Sequence, residues 1–167
     1  MDKIFTQNLI IREFTIDDIS AYFKNNNEEQ IKKYMPNHWH NDVSTAREEI
    51  EDFISHYKNM TMPYHWAIDK ADTNALIGHT GIGDSDISDS IYEIDCAINK
   101  DFRGFGYAAE VTKAFVPWCK IAFGLDKIYA SADTENIASN KSLLNAGFVL
   151  CNDEFTNKKS AINIYVL

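Results

Sequence analysis

The chain has 167 residues, of which 45% are hydrophobic and 25% are charged. These proportions are ordinary for a soluble globular protein, and the length predicts one domain, residues 1–167, rather than two. Sixteen Lys and Arg stand against 25 Asp and Glu, so the formal net charge is −9. This balance argues against a nucleic-acid partner, because such binders need a basic face. It is compatible with a cationic, amine-bearing substrate or with solubility alone.

The cysteines and the N-terminal residues predict the compartment. Cys96, Cys119 and Cys151 are odd in number and lack the spacing of zinc ligands, so we expect reduced thiols. The N-terminal run MDKIFTQNLIIREF carries polar and acidic residues where a signal peptide needs an apolar stretch. No stretch approaches the roughly 18 apolar residues of a membrane span. We therefore expect a cytoplasmic protein without a membrane partner.

The first segment of the chain predicts a strand, a helix and a loop. An apolar run over Leu9–Phe14 predicts the strand, and the capping-box pair Thr15 and Asp18 predicts a helix start after it. The polar run 24–29 ends this helix, and a loop rich in aromatic residues and histidine follows over 35–41. The chain is therefore predicted to begin with a strand, which a helix and then a loop follow.

The second segment predicts another helix and then a hairpin. Ser44 and Thr45, followed by Glu48, signal a helix start, and apolar residues then recur at helical spacing. Two strands are predicted next, over Tyr64–Asp69 and Ala75–Ile82, with a turn at 72–74 between them. A polar turn over Gly83–Asp89 separates this hairpin from the following strand.

The last segment alternates strands with helices. The predicted strands are Ile91–Ile98, Lys127–Ala132, Val149–Glu154 and Ala161–Leu167, and the predicted helices are Tyr107–Phe123, closed by Gly124, and Ile137–Ala146, closed by Gly147. Pro117 is expected to kink the first of these helices, since it removes a backbone hydrogen bond. The element order β-α-α-β-β-β-α-β-α-β-β predicts an α/β fold with a mixed sheet.

A glycine-containing loop joins the strand that ends at Ile98 to the helix that starts at Tyr107. The first N–H groups of a helix lack internal partners and carry the positive end of its dipole, and glycines let an anion approach them. The pattern predicts a phosphate or pyrophosphate site, with a plain tight turn as the alternative. It is not a P-loop, because the Gly-Lys-Ser/Thr ending is absent. It is not a good dinucleotide fingerprint, because Ala109 stands where the last glycine is required.

The loop instead resembles the acyl-CoA pyrophosphate signature of the GNAT superfamily, Gln/Arg-x-x-Gly-x-Gly/Ala, read here as Arg103, Gly106 and Ala108. Four further segments resemble the branch of ribosomal-protein N-terminal (alanine) acetyltransferases: Leu9 to Ile19, Trp66–Ile68 with Leu76–Gly78, Tyr92–Asp95, and Asn136–Ser139 with Leu143–Phe148. Asp95 departs from that branch, which usually has Gly there. The resemblance implies a single GNAT-type α/β domain, with a mixed, mostly antiparallel central sheet flanked by about four helices. It also implies an acyl-CoA-dependent N-acetyltransferase.

The resemblance also implies how acetyl-CoA, the acyl-donor cosubstrate, is held without a metal. Backbone groups of the fourth strand of the family would pair with the pantetheine amides, at Cys96, Ala97 and Ile98. Backbone amides of the loop would hold the pyrophosphate, at Arg103, Gly104, Phe105, Gly106, Tyr107 and Ala108. The Asn136 side chain would hydrogen-bond the pantetheine arm near the thioester. Ser139 would contact the thioester sulfur.

Acetyl transfer to an amine requires that the ammonium lose a proton and that the thiolate leave. Glu93 is the first candidate for the general base, alone or through water, and Asp95 competes with it because both side chains have the same strand parity. Many members of the superfamily have a tyrosine that protonates the thiolate, but Leu143 occupies that position here. Ser139 is the remaining candidate to stabilise the sulfur.

The loop after the first helix is expected to line the acceptor pocket, by the same resemblance, through His38 and Trp39. His38 and His40 form a His-x-His pair, but no third ligand follows nearby, so no metal site is predicted. Cys96 lacks an adjacent base that would activate a nucleophile, so a packing role is favoured.

The sequence leaves the acceptor open between a protein or peptide N-terminus and a small amine. A CoA-binding sensor or scaffold without catalysis is the alternative function, and a nucleotide-binding module is a third. The apolar C-terminal strand is compatible with a homodimer that pairs across it.

Overall fold

One eight-stranded sheet organises the residues that the computed structural model describes, 3–85, 88–151 and 161–167. Its strands are β1 (Ile4–Phe5), β2 (Leu9–Arg12), β3 (Tyr64–Lys70), β4 (Leu76–Ser85), β5 (Ser88–Ile98), β6 (Tyr129–Asp133), β7 (Val149–Leu150) and β8 (Ile162–Val166). Their order in the sheet is β1-β2-β3-β4-β5-β6-β8-β7. Every neighbouring pair is antiparallel except β5 and β6, which are parallel. The predicted mixed, mostly antiparallel sheet is confirmed.

The helices of the described residues are α1 (Ile19–Asn26), α2 (Glu29–Tyr34), α3 (Val43–Tyr57), α4 (Tyr107–Phe123) and α5 (Ile137–Ala146). None of them is long and apolar enough to span a lipid bilayer. The predicted α/β class is confirmed, and α2 is an additional helix, between the predicted polar helix end at 24–29 and the predicted loop at 35–41. The short strand β1 was also missed, because two residues carry too little periodicity to be recognised.

Different helices pack on the two faces of the sheet. On one face, Trp66 is fully buried, and its ring centroid lies 4.6 Å from that of Trp118 and 5.8 Å from that of Phe115, both on α4. Successive strand residues point to opposite faces, so His65 points the other way. There the ring of Phe53 on α3 stacks on His65 at a centroid distance of 4.4 Å. Helices α1 and α3 therefore enclose the face that carries His65.

Glycine ends both helices of the second half as predicted. Gly124 (φ 66°) closes α4 and Gly147 (φ 102°) closes α5, and both adopt the left-handed conformation that glycine tolerates best. Helix α4 runs from Tyr107 to Phe123 without interruption and includes Pro117. The predicted strand start at Val149 is also found, whereas residues 152–154 of that predicted strand lie outside the described residues. The last predicted strand, Ala161–Leu167, is found as β8.

Two helix starts test the capping rules. At the first, the backbone N–H of Thr15 donates to the Asp18 carboxylate at 2.7 Å, so the predicted capping box is present. At the start of α3, the cap is Asp42 rather than the predicted Ser44 and Thr45, because its carboxylate accepts from the Thr45 N–H at 3.0 Å. An ionised oxygen at the N-cap satisfies an orphan donor and also complements the helix dipole.

The hairpin of β4 and β5 is longer than the sequence predicts. Strand β4 continues to Ser85, and β5 already begins at Ser88, so both enter the predicted polar turn Gly83–Asp89. A register shift at Asp84/Ser85 accommodates this extension. Such irregularities allow polar residues to stay in a strand while one extra residue is absorbed. The extension brings Ser85 beside Glu93.

Candidate active site

Strands β5 and β6 meet and then separate. The register pair Glu93↔Tyr129 is the one that joins them in the described part of the sheet, whereas β5 pairs with β4 as far as Ile98. Beyond Glu93, residues 94–98 therefore have one strand edge without a neighbouring strand. Such an edge presents backbone donors and acceptors at the spacing that an extended, amide-containing ligand requires. The predicted pantetheine contacts, Cys96, Ala97 and Ile98, all lie on it.

The loop before α4 is open and built around two glycines. Gly104 (φ 86°) and Gly106 (φ 82°) adopt the left-handed conformation, and a Cβ added at either would meet no atom within 4 Å. Both glycines and Phe105 between them are exposed. Gly106 is the N-cap of α4, so the N–H groups of the first turn, including those of Tyr107 and Ala108, face this open space without intrahelical partners. The arrangement fits a pyrophosphate.

The Arg103 side chain turns away from that space toward α2. Its Nε donates to the Ile98 carbonyl at 2.7 Å, and its Nη atoms contact the side chains of Gln30 and Glu28. The carboxylate of Glu28 thereby compensates the guanidinium charge. Arg103 therefore fixes the loop against α2, and the backbone remains the principal donor set for an anion. The Ile98 carbonyl is engaged by Arg103, which leaves fewer acceptors on the β5 edge.

Glu93 lies where β5 and β6 begin to diverge. Its carboxylate accepts a hydrogen bond from Ser85 Oγ on β4 at 2.6 Å and another from Ser131 Oγ on β6. The hydroxyls of two adjacent strands therefore hold it between them. Hydroxyl groups can rotate and reorganise their hydrogen bonds when a carboxylate gains a proton. The predicted base is therefore held by two hydroxyl groups at the junction of β5 and β6.

Asp95, the competing base, is bound by two histidines. Its Oδ2 lies 2.9 Å from Nε2 of His65 and 3.7 Å from Nε2 of His38. Burial raises the pKa of this carboxyl, but the ion pairs with His65 and His38 and the hydrogen bond from His65 outweigh that effect and hold it well below its usual range. Asp95 is therefore ionised and engaged in ion pairs.

The register of the sheet explains how His65 reaches Asp95. His65, Gly81 and Asp95 are aligned across β3, β4 and β5, so a side chain at Gly81 would stand between the other two. A Cβ at Gly81 would lie 2.0 Å from Cδ2 of the His65 ring. The absence of a side chain at Gly81 therefore lets the imidazole lie across β4.

A second carboxylate completes the cluster from α3. Glu49 accepts hydrogen bonds from Nδ1 of His38 at 2.7 Å, Nε2 of His40 at 2.6 Å and the Tyr22 hydroxyl at 2.6 Å. Burial lowers the pKa of His38, but the ion pair with Asp95 and the hydrogen bond to Glu49 outweigh it and raise the pKa to about 10. His38 is thus an imidazolium between two carboxylates.

His79 lies beside this network without joining it. It is fully buried, and its ring centroid lies 4.9 Å from that of His38. Within the described structure neither of its ring nitrogens has a hydrogen-bond partner. Burial, followed by the charge on His38, lowers its pKa to about 3, so the ring is neutral. We call His38, His65, His79, Glu49 and Asp95 the imidazole–carboxylate cluster.

The other residues of the predicted site lie in the loop before α3, on β5 and at α5. Trp39, next to His38, is half-buried, and Nζ of Lys32 lies 4.3 Å from its ring centroid. Asn136 caps α5 and accepts from the Ser139 N–H at 3.2 Å, so these two residues lie together. Leu143 is buried in the core, as expected of an apolar residue. Burial raises the pKa of the Cys96 thiol, which agrees with a packing role.

The sequence reading missed His65, His79, Glu49 and Gly81. No motif marks them, since they lie on different elements and meet only through strand register and the placement of α3. Alternation could have placed His65 and His79 on one face of the hairpin, but it could not have shown that α3 brings Glu49 to the same point.

An open strand edge beside a glycine-opened helix start is compatible with the acyl-CoA site that the resemblance to the GNAT superfamily implies. The family profile described as "Acetyltransferase (GNAT) domain" matches residues 8–149. The chain is 30% identical over 143 residues to the uncharacterized N-acetyltransferase YoaA of Bacillus subtilis, covering 86% of this chain and 80% of that protein. The chain therefore belongs to the GNAT acetyltransferase family, and it is an acyl-CoA-dependent N-acetyltransferase.

Solved structures agree with this fold. A GNAT-family acetyltransferase from Bacillus anthracis has a TM-score of 0.77 at 20% identity, over 99% of this chain and 98% of that one. A putative ribosomal-protein-serine acetyltransferase from Vibrio cholerae has a TM-score of 0.76 at 17% identity, over 99% and 97%. RimL, a ribosomal L7/L12 α-N-protein acetyltransferase solved with coenzyme A, has a TM-score of 0.79 at 14% identity, over 99% and 97%. The resemblance to the ribosomal-protein branch is confirmed as a likeness of fold.

Proposed function

We propose that the chain transfers an acetyl group from acetyl-CoA to a primary amine by direct attack within a ternary complex. The observation that carries this proposal is the open, two-glycine start of α4 beside the unpaired edge of β5. The first-turn amides of α4 would bind the pyrophosphate. The edge at Cys96 and Ala97 would align the pantetheine arm. The thioester would then lie near the junction of β5 and β6, where Glu93 is held.

The transfer needs no covalent enzyme intermediate. The amine nitrogen attacks the thioester carbonyl carbon, the carbon–sulfur bond breaks, and the thiolate of CoA leaves as the amide forms. The proton of the amine passes to Glu93, directly or through a water molecule. Holding the two substrates together contributes on the order of 7 kcal/mol or more to lowering the barrier.

We favour Glu93 over Asp95 as the base because of their partners. Glu93 is hydrogen-bonded to the hydroxyls of Ser85 and Ser131, which can reorient as the carboxylate takes up a proton. Asp95 is paired with His65 and His38, so its protonation would break two favourable contacts. A water molecule in place of either carboxylate remains the third route.

We assign the stabilisation of the leaving thiolate to Ser139. Leu143 cannot donate a proton, whereas Ser139 lies half-buried in the first turn of α5 beside Asn136, the proposed partner of the pantetheine arm. A CoA thiol has a pKa near the value of about 8.5 that is typical of Cys, so a strong acid is not required. One hydrogen bond, or water, suffices to stabilise the sulfur.

The acceptor is expected to be cationic before reaction. His38, Trp39 and Asp95 would line its pocket, and the protein as a whole carries a net charge of −9. An excess of negative charge attracts an ammonium group over long range. Both a protein or peptide N-terminus, as for the α-N-protein acetyltransferase RimL, and a small amine fit this description.

An acceptor screen tests the function. Purified protein is mixed with acetyl-CoA and panels of N-terminal peptides and small amines, and released thiol is measured. Acceptor-dependent thiol release supports transfer. Tight acetyl-CoA binding with no release above the hydrolysis background for any amine would favour the sensor or scaffold alternative. Calorimetric titration with ATP in place of acetyl-CoA distinguishes a nucleotide-binding module, which would bind ATP the more tightly.

A further inference from the structure

The imidazole–carboxylate cluster contains a ligand set that the proposed acetyl transfer does not use as a whole. One nitrogen each of His38 and His65 and one carboxylate oxygen of Asp95 lie within 4.8 Å of one another. Two imidazoles and a carboxylate form a donor set that Zn²⁺ and related divalent ions prefer. His40 is not part of it, because its Nε2 is bound to Glu49. The proposed histidine ligands are therefore His38 and His65, and not the His-x-His pair of His38 and His40.

The distances between these atoms approach those of a tetrahedral site. Bonds of about 2.0–2.2 Å to a tetrahedral Zn²⁺ place neighbouring ligand atoms about 3.3–3.6 Å apart. Nε2 of His65 lies 2.9 Å from Oδ2 of Asp95, and Nε2 of His38 lies 3.7 Å from the same oxygen. One separation is slightly short and the other slightly long, and the third, between the two imidazole nitrogens, is within 4.8 Å. Side-chain shifts would therefore bring the three atoms to tetrahedral separations.

The surroundings of His38 match those of a metal-bound histidine. Metal-ligating histidines donate their other ring N–H to a carboxylate or carbonyl, which fixes the tautomer and the ring orientation. Nδ1 of His38 contacts Glu49 at 2.7 Å, and Nε2 consequently faces Asp95. Glu49 is itself held by His40 and the Tyr22 hydroxyl. The orientation of His38 is thus supported by buried groups.

Unsatisfied polar atoms provide an independent observation at the same place. Oδ1 of Asp95, Nδ1 of His65 and both ring nitrogens of His79 are buried and have no hydrogen-bond partner in the described part of the chain. Such atoms cost free energy unless a bound species satisfies them. His79 is fully buried, and its ring centroid lies 5.3 Å from Tyr22 and 4.9 Å from His38. Of these atoms, Oδ1 of Asp95 belongs to a proposed ligand group, whereas Nδ1 of His65 and the His79 ring are neighbours of the site and not ligand atoms.

The carboxylates of Glu49 and Asp95 supply the negative charge that a divalent ion requires. Without a metal, His38 is an imidazolium between them. A metal ion would take the place of the proton on Nε2 of this ring, because histidine binds metal as a neutral imidazole. The side chain of Asp95 is 29% exposed, whereas those of His38 and His65 are 13% and 8% exposed. Asp95 is therefore the most exposed of the three proposed ligands.

We propose that His38, His65 and Asp95 bind one divalent metal ion of the borderline class, such as Zn²⁺ or Co²⁺, and that Glu49 orients His38 from behind. Three protein ligands leave the fourth position to water, as in an open site. The proposal does not depend on the proposed acetyl-transfer chemistry, since binding is measured without acetyl-CoA. It replaces the sequence expectation of no metal, which considered only ligands close to His38 along the chain.

Direct metal titration tests the site. Chelator-stripped protein is titrated with Co²⁺ and its visible spectrum is followed, and a parallel sample is loaded with Zn²⁺, gel-filtered and assayed by mass spectrometry. We expect one equivalent per chain and the intense visible absorption of four-coordinate Co²⁺. Absence of stoichiometric binding in the folded wild-type protein would overturn the proposal. A thiolate-to-metal charge-transfer band would also overturn it, because the ion would then be on cysteine.

Variants locate the ion. Asp95→Asn keeps the shape of the side chain and removes an ionised ligand, so metal affinity should fall tenfold or more, and His65→Gln should act similarly. Glu49→Gln should weaken binding about 10- to 100-fold through His38. His56→Gln is the matched control, since His56 contacts Thr61 and Asp52 instead. Unchanged Co²⁺ binding in folded Asp95→Asn and His65→Gln would place the ion elsewhere and refute the assignment.

Discussion

The loop before α4, residues 99–106, and the imidazole–carboxylate cluster are built in opposite ways. The loop comes from one continuous segment, is exposed, and presents backbone N–H groups around Gly104 and Gly106. The cluster comes from the loop before α3, from α3 itself and from three strands, and it presents ionisable side chains in a largely buried space. Under the proposed function, donor binding would depend on backbone conformation, whereas chemistry on the acceptor side would depend on packing between distant segments.

This difference predicts which property a substitution in each region should change. A substitution in the loop should change ligand affinity and leave the buried charges unaffected. A substitution near the cluster should change proton transfer or metal binding while CoA affinity stays nearly constant. Variants in the two regions should therefore separate affinity from turnover.

The largest expected effect is on turnover through Glu93, beside the cluster. Glu93→Gln keeps the size of the side chain but removes the proton acceptor, so kcat should fall about 100-fold. Acetyl-CoA affinity, measured by calorimetry, should stay within about twofold, a change of roughly 0.4 kcal/mol. Asp84→Asn is the control, because Asp84 is an exposed carboxylate on the adjacent strand. An undiminished rate in Glu93→Gln would move the role to Asp95, which Asp95→Asn then tests.

The next effect is on affinity at the loop. Gly106→Asp would place a negative side chain in the left-handed conformation at the start of α4, where the pyrophosphate is proposed to bind. Acetyl-CoA affinity should fall tenfold or more, about 1.4 kcal/mol. Gly106→Asn separates charge from shape, since Asn tolerates this conformation and is neutral.

A remote glycine controls for backbone strain. Gly124→Asp introduces the same side chain into the left-handed conformation at the other end of α4. It should lower the melting temperature without changing acetyl-CoA affinity, because Gly124 lies far from the loop along the helix axis. Equal affinity of wild type and Gly106→Asp, with both folded, would exclude the loop as the anion site.

These two sets of variants also correspond to what the sequence could and could not predict. The span of α4, its cap at Gly106 and its end at Gly124 follow from local rules, because propensity and left-handed glycines act within a few residues. Asp95 was identified as unusual, but its partner His65 and the second carboxylate that contacts His38, Glu49, were not. Their proximity depends on strand register and on how α3 packs, and neither is encoded by spacing along the chain.

A tenfold effect is expected at the leaving group. Ser139→Ala removes one hydrogen bond to the developing thiolate, which corresponds to about 1.4 kcal/mol and roughly a tenfold lower kcat. Leu143→Ala, in the same helix, is the packing control. It should lower the free energy of unfolding by about 2–5 kcal/mol, because Leu143 is buried, while the rate per folded molecule changes little. A stable Ser139→Ala enzyme at full rate would show that the hydroxyl has no catalytic role.

The smallest effect concerns Glu110, which anchors the first turn of α4 beside the loop. Its carboxylate accepts from the Thr6 hydroxyl at 2.6 Å, the Asn8 N–H at 2.8 Å and Nδ2 of Asn8 at 2.9 Å. Burial raises its pKa, but these hydrogen bonds outweigh burial and lower the pKa below its ordinary value. A carboxyl with a lowered folded-state pKa stabilises the fold above its unfolded pKa of about 4.3. That contribution is lost as the pH falls through the folded-state pKa.

Glu110→Gln tests this sign directly. At pH 7 the variant should melt about 2–4 °C below the wild type, the shift that a loss of about 1 kcal/mol produces in a chain of this size. As the pH falls well below 4, the wild type loses the ionised carboxylate and the gap should close. Glu135→Gln, at an exposed carboxylate before α5, is the control and should show a smaller gap at both pH values. A gap that persists unchanged in acid would mean that Glu110 acts through shape and not through charge.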